Sequence, residues 1–117
     1  MAELSIYFNP RCSKCRTARE LLADRDIEAH VIDYLREPPS VPELRTLMGQ
    51  LGADDPRQMM RTGEDVYAAL GLAEASDGAL LEAISAHPVL LERPIVVRDG
   101  RAVIARPPEL LLDLLGS

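Results

Sequence analysis

The sequence predicts an α/β fold: a four-stranded mixed sheet with flanking helices and a helical insertion between the second and third strands. Three observations carry this. The chain opens as strand, helix, strand; the stretch from Pro38 to Pro88 holds only helical signals; and a two-residue hairpin followed by a last helix closes it. With 117 residues and 47% hydrophobic content, one domain over 1–117 with a real core is expected, the insertion covering about 38–88 of it. Four residues are aromatic, so the core must be built from Leu, Val, Ile and Ala.

Leu4-Ser5-Ile6-Tyr7-Phe8 alternates as a half-buried strand does. After it, Cys15, Ala18, Leu21 and Leu22 fall on one helical face and Arg16, Arg19 and Glu20 on the others, until Asp24-Arg25-Asp26 breaks the pattern. Ile27 to Tyr34 reads as a second strand, and a βαβ unit this short makes the two strands parallel. Ser40-Val41-Pro42-Glu43 is a helix start, with Ser40 as N-cap, Glu43 as its capping-box partner and Pro42 in the first turn. Leu44, Leu47, Met48 and Leu51 form its inner face and Gly52 its end. Asp55-Pro56 starts a short turn carrying Met59, Met60 and Arg61; Glu64 to Leu70 and Ser76 to Ala86 are further helices, stopped at Gly71 and at His87-Pro88. Asp99-Gly100 between Pro94–Arg98 and Arg101–Ile104 is the dipeptide that a type I′ hairpin turn favours. Arg106-Pro107-Pro108-Glu109 then opens a helix whose Leu110, Leu111, Leu114 and Leu115 pack inward. The sheet is expected to contain two parallel and two antiparallel pairings. There is no internal repeat, low-complexity segment or dividing linker.

Bulk properties narrow the function. No apolar run approaches the roughly 18 residues of a membrane span. Met1-Ala2-Glu3 lacks the basic and apolar regions of a signal peptide, so a cytoplasmic location is expected. Net charge of −6 argues against general binding to nucleic acid or anionic membranes. The positive charge is nearly all arginine, since Lys14 is the only lysine; arginine has the fixed fork that holds oxyanions.

Chemistry points to Asn9-Pro10-Arg11-Cys12-Ser13-Lys14-Cys15-Arg16, which holds the only two cysteines. In the cytoplasm such a pair is more often catalytic, redox-active or metal-binding than a structural staple. Cysteines at i and i+3, after a strand and a turn and opening a helix, form a redox loop. Cys12 at the helix N-terminus would meet unpaired amides and the positive end of the dipole, with Arg11, Lys14 and Arg16 adding charge, so its thiolate is favoured. Cys12 should be the exposed, nucleophilic member and Cys15 the buried one. Two bland readings compete: half a zinc site completed by His30 and His87, or two incidental cysteines.

The order β-α-β, helices, β-β-α is the thioredoxin/glutaredoxin topology. Further motifs then narrow it: Ile6-Tyr7-Phe8-Asn9-Pro10-Arg11-Cys12, Tyr34-Leu35 with Pro38-Pro39-Ser40, Gly71-Leu72-Ala73-Glu74, His87-Pro88-Val89-Leu90, Arg93-Pro94-Ile95-Val96-Val97 and Arg106-Pro107. On these, nearly the whole chain resembles the glutaredoxin-like arsenate reductases. The resemblance implies reduction of arsenate to arsenite, in arsenic detoxification; a monomer with no bound cofactor, and with no nucleic-acid or membrane partner, is expected. Electrons would come from glutathione and glutaredoxin, or from thioredoxin with Cys15 as resolving thiol. It places the nucleophile on Cys12, the oxyanion-binding arginines on Arg61, Arg93 and Arg106, and a cis peptide at Pro94. In this topology Arg93 and Arg106 can lie at the sheet end that carries the Cys12 loop, with Arg61 closing the pocket from the insertion. Arg25, Arg57, Arg98 and Arg101 read as solvated surface residues, and Met59 and Met60 as core. Two positions depart from the family pattern. Phe8 stands where well-known members carry a histidine that helps lower the cysteine pKa, and Cys15 stands where many carry serine. The second departure also fits a general thiol–disulfide oxidoreductase, or a non-enzymatic redox-sensing regulator that binds RNA polymerase.

Overall fold

A computed structural model describes residues 4–115. Along the chain run β1 (Leu4–Tyr7), α1 (Ser13–Asp24), β2 (Ala29–Ile32), α2 (Val41–Leu51), α3 (Asp65–Ala69), α4 (Asp77–Ala86), β3 (Ile95–Arg98), β4 (Arg101–Ile104) and α5 (Leu112–Leu115). Single 3₁₀ turns occupy Pro56–Met59, Leu72–Glu74, Pro88–Leu90 and Pro108–Leu111. The chain forms two compact units. One joins the residues up to Tyr34 with those from Arg93 onward, and the other is Leu35–Glu92.

The first unit holds the sheet, in the order β2-β1-β3-β4. An open sheet of four strands has three interfaces. Here β1 pairs parallel with β2 and antiparallel with β3, and β3 pairs antiparallel with β4, so there is one parallel pairing, not the two expected. The alternation of β1 sends Leu4, Ile6 and Phe8 to one core, where they meet Cys15, Ala18 and Leu22 of α1, Val96, Ala105 and Leu111. β2 is shorter than the Ile27–Tyr34 pattern suggested. Its register with the four residues of β1 runs only from Ala29 to Ile32, and Ile27 instead donates its N–H to the Leu22 carbonyl in closing α1. Asp26, at φ 56°, makes the left-handed turn there, a conformation that Asp tolerates better than most residues.

Asp99 and Gly100 have φ of 51° and 77°, the two positive values a type I′ turn requires. The terminal helix differs from the expectation in how it starts. Pro108–Leu111 is a 3₁₀ turn, with three residues per turn, so Leu111 and Leu114 share the inner face while Leu110 is rotated out and stands 38% exposed.

In the second unit the Ser40–Glu43 capping box forms in both directions, at 3.2 and 2.9 Å, and Gly52 closes α2 in the left-handed conformation at φ 71°. Leu44, Leu47, Met59, Met60, Leu80, Leu81 and Ile84 are buried. Arg57 is not the solvated surface residue expected. Its Nη2 donates to the carbonyls of Leu72, Ala73 and Ala75, its Nε to the Tyr67 hydroxyl and its Nη1 to the Asp55 carboxylate. One guanidinium thus gathers the carbonyls of a turn that offers them no regular helical partners.

Candidate active site

The site in the first unit is assembled where β1 ends and α1 begins. Asn9 shapes the loop. Its side-chain Oδ1 accepts the Arg11 N–H at 2.9 Å, and its carbonyl accepts the Cys12 N–H at 2.9 Å. An asparagine before proline is a turn former of this kind, a signal the sequence offered and the redox-loop reading did not use. Cys12 is the N-cap residue of α1, with extended backbone. Cys15 lies in the first turn of the helix and is fully buried.

Cys12 is not the exposed thiol expected. It is 8% accessible and belongs to the same core cluster as Phe8, Cys15 and Ala18, because an N-cap side chain folds back over the first turn. Burial alone would push its thiol up. The backbone N–H and thiol of Cys15 and the guanidinium of Arg93 outweigh it, and the Cys12 pKa is lowered. The Cys15 N–H is one of the helix-terminal amides the sequence suggested, but the cation differs: Arg11, Lys14 and Arg16 are exposed, and Arg93 comes from the far end of the chain. Burial pushes the Cys15 thiol the other way, to about 12, with the neighbouring Cys12 charge adding to it. Both cysteines are free. The pair is therefore asymmetric, a favoured thiolate beside a thiol that stays protonated and can donate to it.

Arg93 sits two residues before β3, with Pro94 between. Its peptide bond to Pro94 is cis, and so is the Arg106–Pro107 bond, the latter not foreseen from sequence. Arg106 donates from Nη1 to the Arg93 carbonyl at 2.9 Å, which brings the two arginines together at the end of the β3–β4 hairpin. The Nε of Arg93 is buried and has no hydrogen-bond partner. A buried donor left unpaired costs about 1–3 kcal/mol, so such groups call for an explanation.

Arg61 belongs to the second unit. There its Nε meets Glu64 at 3.2 Å and its Nη1 meets Glu92 at 3.7 Å. Its charge is thus already met by two carboxylates, unlike that of Arg93.

Tyr34 is a further member that sequence reasoning used only as a motif letter. It is 1% accessible, and burial pushes its phenol up to about 12, against the opposing influence of Arg93 and Asn9. Nothing in a lone tyrosine after a short strand marks it as buried beside a cysteine pair. Among the described residues no three His, Cys, Asp or Glu side chains gather as a metal ion would need.

A cysteine pair opening the helix after the first strand, in a four-stranded mixed sheet with a cis proline before its third strand, defines a thioredoxin-like protein. Comparison with known proteins narrows the class. Residues 7–114 match the model of the ArsC family. The chain is 48% identical over 111 residues to a Neisseria meningitidis protein named arsenate reductase, covering 93% of this chain and 95% of that one. It is 44% identical over 116 residues to YfgD of Escherichia coli, an uncharacterized protein, covering 97% and 98% of the two chains. Its backbone matches the structure of arsenate reductase from Vibrio cholerae with a TM-score of 0.93 at 46% identity, covering 97% and 98%. The chain belongs to the ArsC family.

Proposed function

We propose that this protein is a thiol-dependent arsenate reductase in which the Cys12 thiolate attacks an oxyanion held by Arg93 and Arg106. The observation that carries the reading is the unpartnered Nε of Arg93. The same guanidinium stabilises the Cys12 thiolate, so an oxyanion accepting from it would lie beside the nucleophile. Arsenate and thiolate are both anions, and their encounter is opposed unless cations gather the charge. Arg106 spends one donor on the Arg93 carbonyl and, with five N–H groups, keeps others for the ligand. Arg61 enters as a third ligand on family resemblance, and would have to release Glu64 or Glu92 to serve.

In the first step an S–As bond forms at Cys12 as an As–O bond breaks, the oxygen leaving as water after protonation. A second thiol then attacks the Cys12 sulfur. An S–S bond forms, the S–As bond breaks with its electron pair passing to arsenic, and arsenite leaves. A further thiol reduces the disulfide, so two thiols are oxidised for each arsenate reduced. Cys15 is buried and protonated, which favours an external thiol, glutathione with glutaredoxin, as reductant over Cys15 with thioredoxin. Cys15 then serves as hydrogen-bond donor to the thiolate. A reducing, cytoplasmic setting suits two free thiols.

The test is arsenate-dependent oxidation of NADPH, coupled through glutathione and glutaredoxin or through thioredoxin. Turnover that is abolished by Cys12→Ser supports the reading. A folded protein whose Cys12 alkylates normally but which turns over with no donor overturns it.

A further inference from the structure

Asn9 and Tyr34 stand just past the ends of β1 and β2. The parallel register of those strands runs from Leu4–Ala29 to Tyr7–Ile32, and the Phe8 N–H carries the ladder on to the Ile32 carbonyl at 2.8 Å. Two positions beyond the last pair, the same register reaches Asn9 and Tyr34. Tyr34 is buried and Asn9 half-buried, so a polar contact between them is largely shielded from water. Every hydrogen-bonding group of Asn9 is committed. Its carbonyl and its Oδ1 accept the Cys12 and Arg11 N–H groups, each at 2.9 Å. Its own N–H donates to the Cys15 sulfur, and its Nδ2 donates to the Tyr34 hydroxyl oxygen. The Cys15 proton is left for the Cys12 sulfur, which also accepts the Cys15 N–H. An asparagine offers an acceptor and a donor on one short planar group, whereas aspartate in its place has acceptors alone and would set a negative charge beside the thiolate.

We propose that Asn9 is a positioning residue for the nucleophile and that Tyr34 acts through it: the phenol fixes the Asn9 amide, and Asn9 holds both cysteines so that the N–H and thiol of Cys15 stay aimed at the Cys12 sulfur. The hydrogen bonds run as a connected network from Tyr34 through Asn9 and Cys15 to Cys12, in which each bond polarises the next. Arg93 supplies the charge that faces Tyr34 and both thiols, and Asn9 supplies the alignment. The inference deepens the reductase reading by naming what orients its nucleophile. It rests on that reading for turnover alone, because the reactivity of Cys12 tests it without arsenate.

The pH midpoint of Cys12 alkylation is measured in the full chain and in Asn9→Ala, Tyr34→Phe and the double variant. Asn9→Ala should raise the midpoint by about half a unit to one unit, and Tyr34→Phe should raise it by less. Because Tyr34 works through Asn9, adding Tyr34→Phe to Asn9→Ala should move the midpoint no further. Leu47→Ala, at a buried position of the second unit, loses stability but should leave the midpoint unchanged, which separates alignment of the thiols from general loosening of the fold. In turnover, Asn9→Ala should lower arsenate kcat/KM about three- to tenfold at pH 6.5, the factor by which the thiolate is depleted, and the deficit should shrink at pH 9. An unchanged midpoint in Asn9→Ala, additive shifts in the double variant, or an equal shift in Leu47→Ala overturns the proposal. If Asn9→Ala does not fold, Tyr34→Phe, which removes one oxygen, decides: an unchanged midpoint there overturns it and a raised one supports it. Shifted midpoints without arsenate turnover by any donor would retain the positioning role and remove the reductase reading.

Discussion

The asymmetry of the cysteine pair can be tested through alkylation, because the thiolate and not the thiol reacts. The perturbation is Cys12→Ser, which leaves Cys15 as the only thiol. Burial is the largest influence holding Cys15 near 12, and it survives the substitution. At pH 7.5 a thiol with that pKa is ionised to roughly 3 × 10⁻⁵, against about 10% for an unperturbed cysteine. From thiolate content alone Cys15 should react up to about 3,000-fold more slowly than a free cysteine, a factor narrowed in the variant by loss of the Cys12 charge and widened by the burial that remains. The assay is iodoacetamide labelling from pH 6 to 9, followed by intact mass and peptide mapping. The unsubstituted protein should take one label, on Cys12, with a pH midpoint below that of free cysteine, while Cys12→Ser takes none on the same timescale. Labelling of Cys15 in that variant within tenfold of the free-thiol rate would refute the reasoning. A Cys12 midpoint at or above that of free cysteine would do the same.

The raised pKa values of Cys15 and Tyr34 fix the sign of an alkaline effect. Both stay protonated in the fold up to about pH 12, while the unfolded chain loses those protons from about 9 and 10, so stability falls by a few kcal/mol as pH rises through that window. Chemical denaturation at pH 8 and 11 measures it, and Tyr34→Phe should shrink the difference. Arg93→Gln should lower arsenate kcat/KM by about 10²–10³, as loss of an oxyanion donor does, and Arg93→Lys should recover little because a point charge lacks the fork. Equal activity of Arg93→Gln and the unsubstituted enzyme would remove Arg93 from the site. Leu111→Ala, at a fully buried position, should cost about 2–5 kcal/mol of unfolding free energy, whereas Leu110→Ala should stay within about 0.5. Urea titration of the pair tests the 3₁₀ start of the terminal helix.

Much of the architecture was legible because local chemistry agrees with it. The capping box at Ser40, the glycine stop at Gly52, the Asp99-Gly100 turn and the alternation of β1 each act within a few residues, and each is realised. What escaped the sequence depends on distance along the chain. The length of β2 is set by its register with β1, and the face of Leu110 by a 3₁₀ turn that a helical wheel does not represent. Arg57 looked like any surface arginine until the carbonyls of residues 72–75 came to it. The site divides in the same way. The helix-opening cysteines and the alternation that buries Cys15 are local and were readable. That Arg93, not the basic residues of the loop itself, is the cation that stabilises the thiolate depends on β3 pairing beside β1.

The most direct test of the account is a crystal structure with arsenate, or with sulfate in its place. The account expects the oxyanion to accept a hydrogen bond from the Arg93 Nε, with Arg106 adjoining it, within reach of the Cys12 sulfur. An oxyanion bound elsewhere, with the Arg93 Nε still unpartnered at saturating ligand, would contradict it.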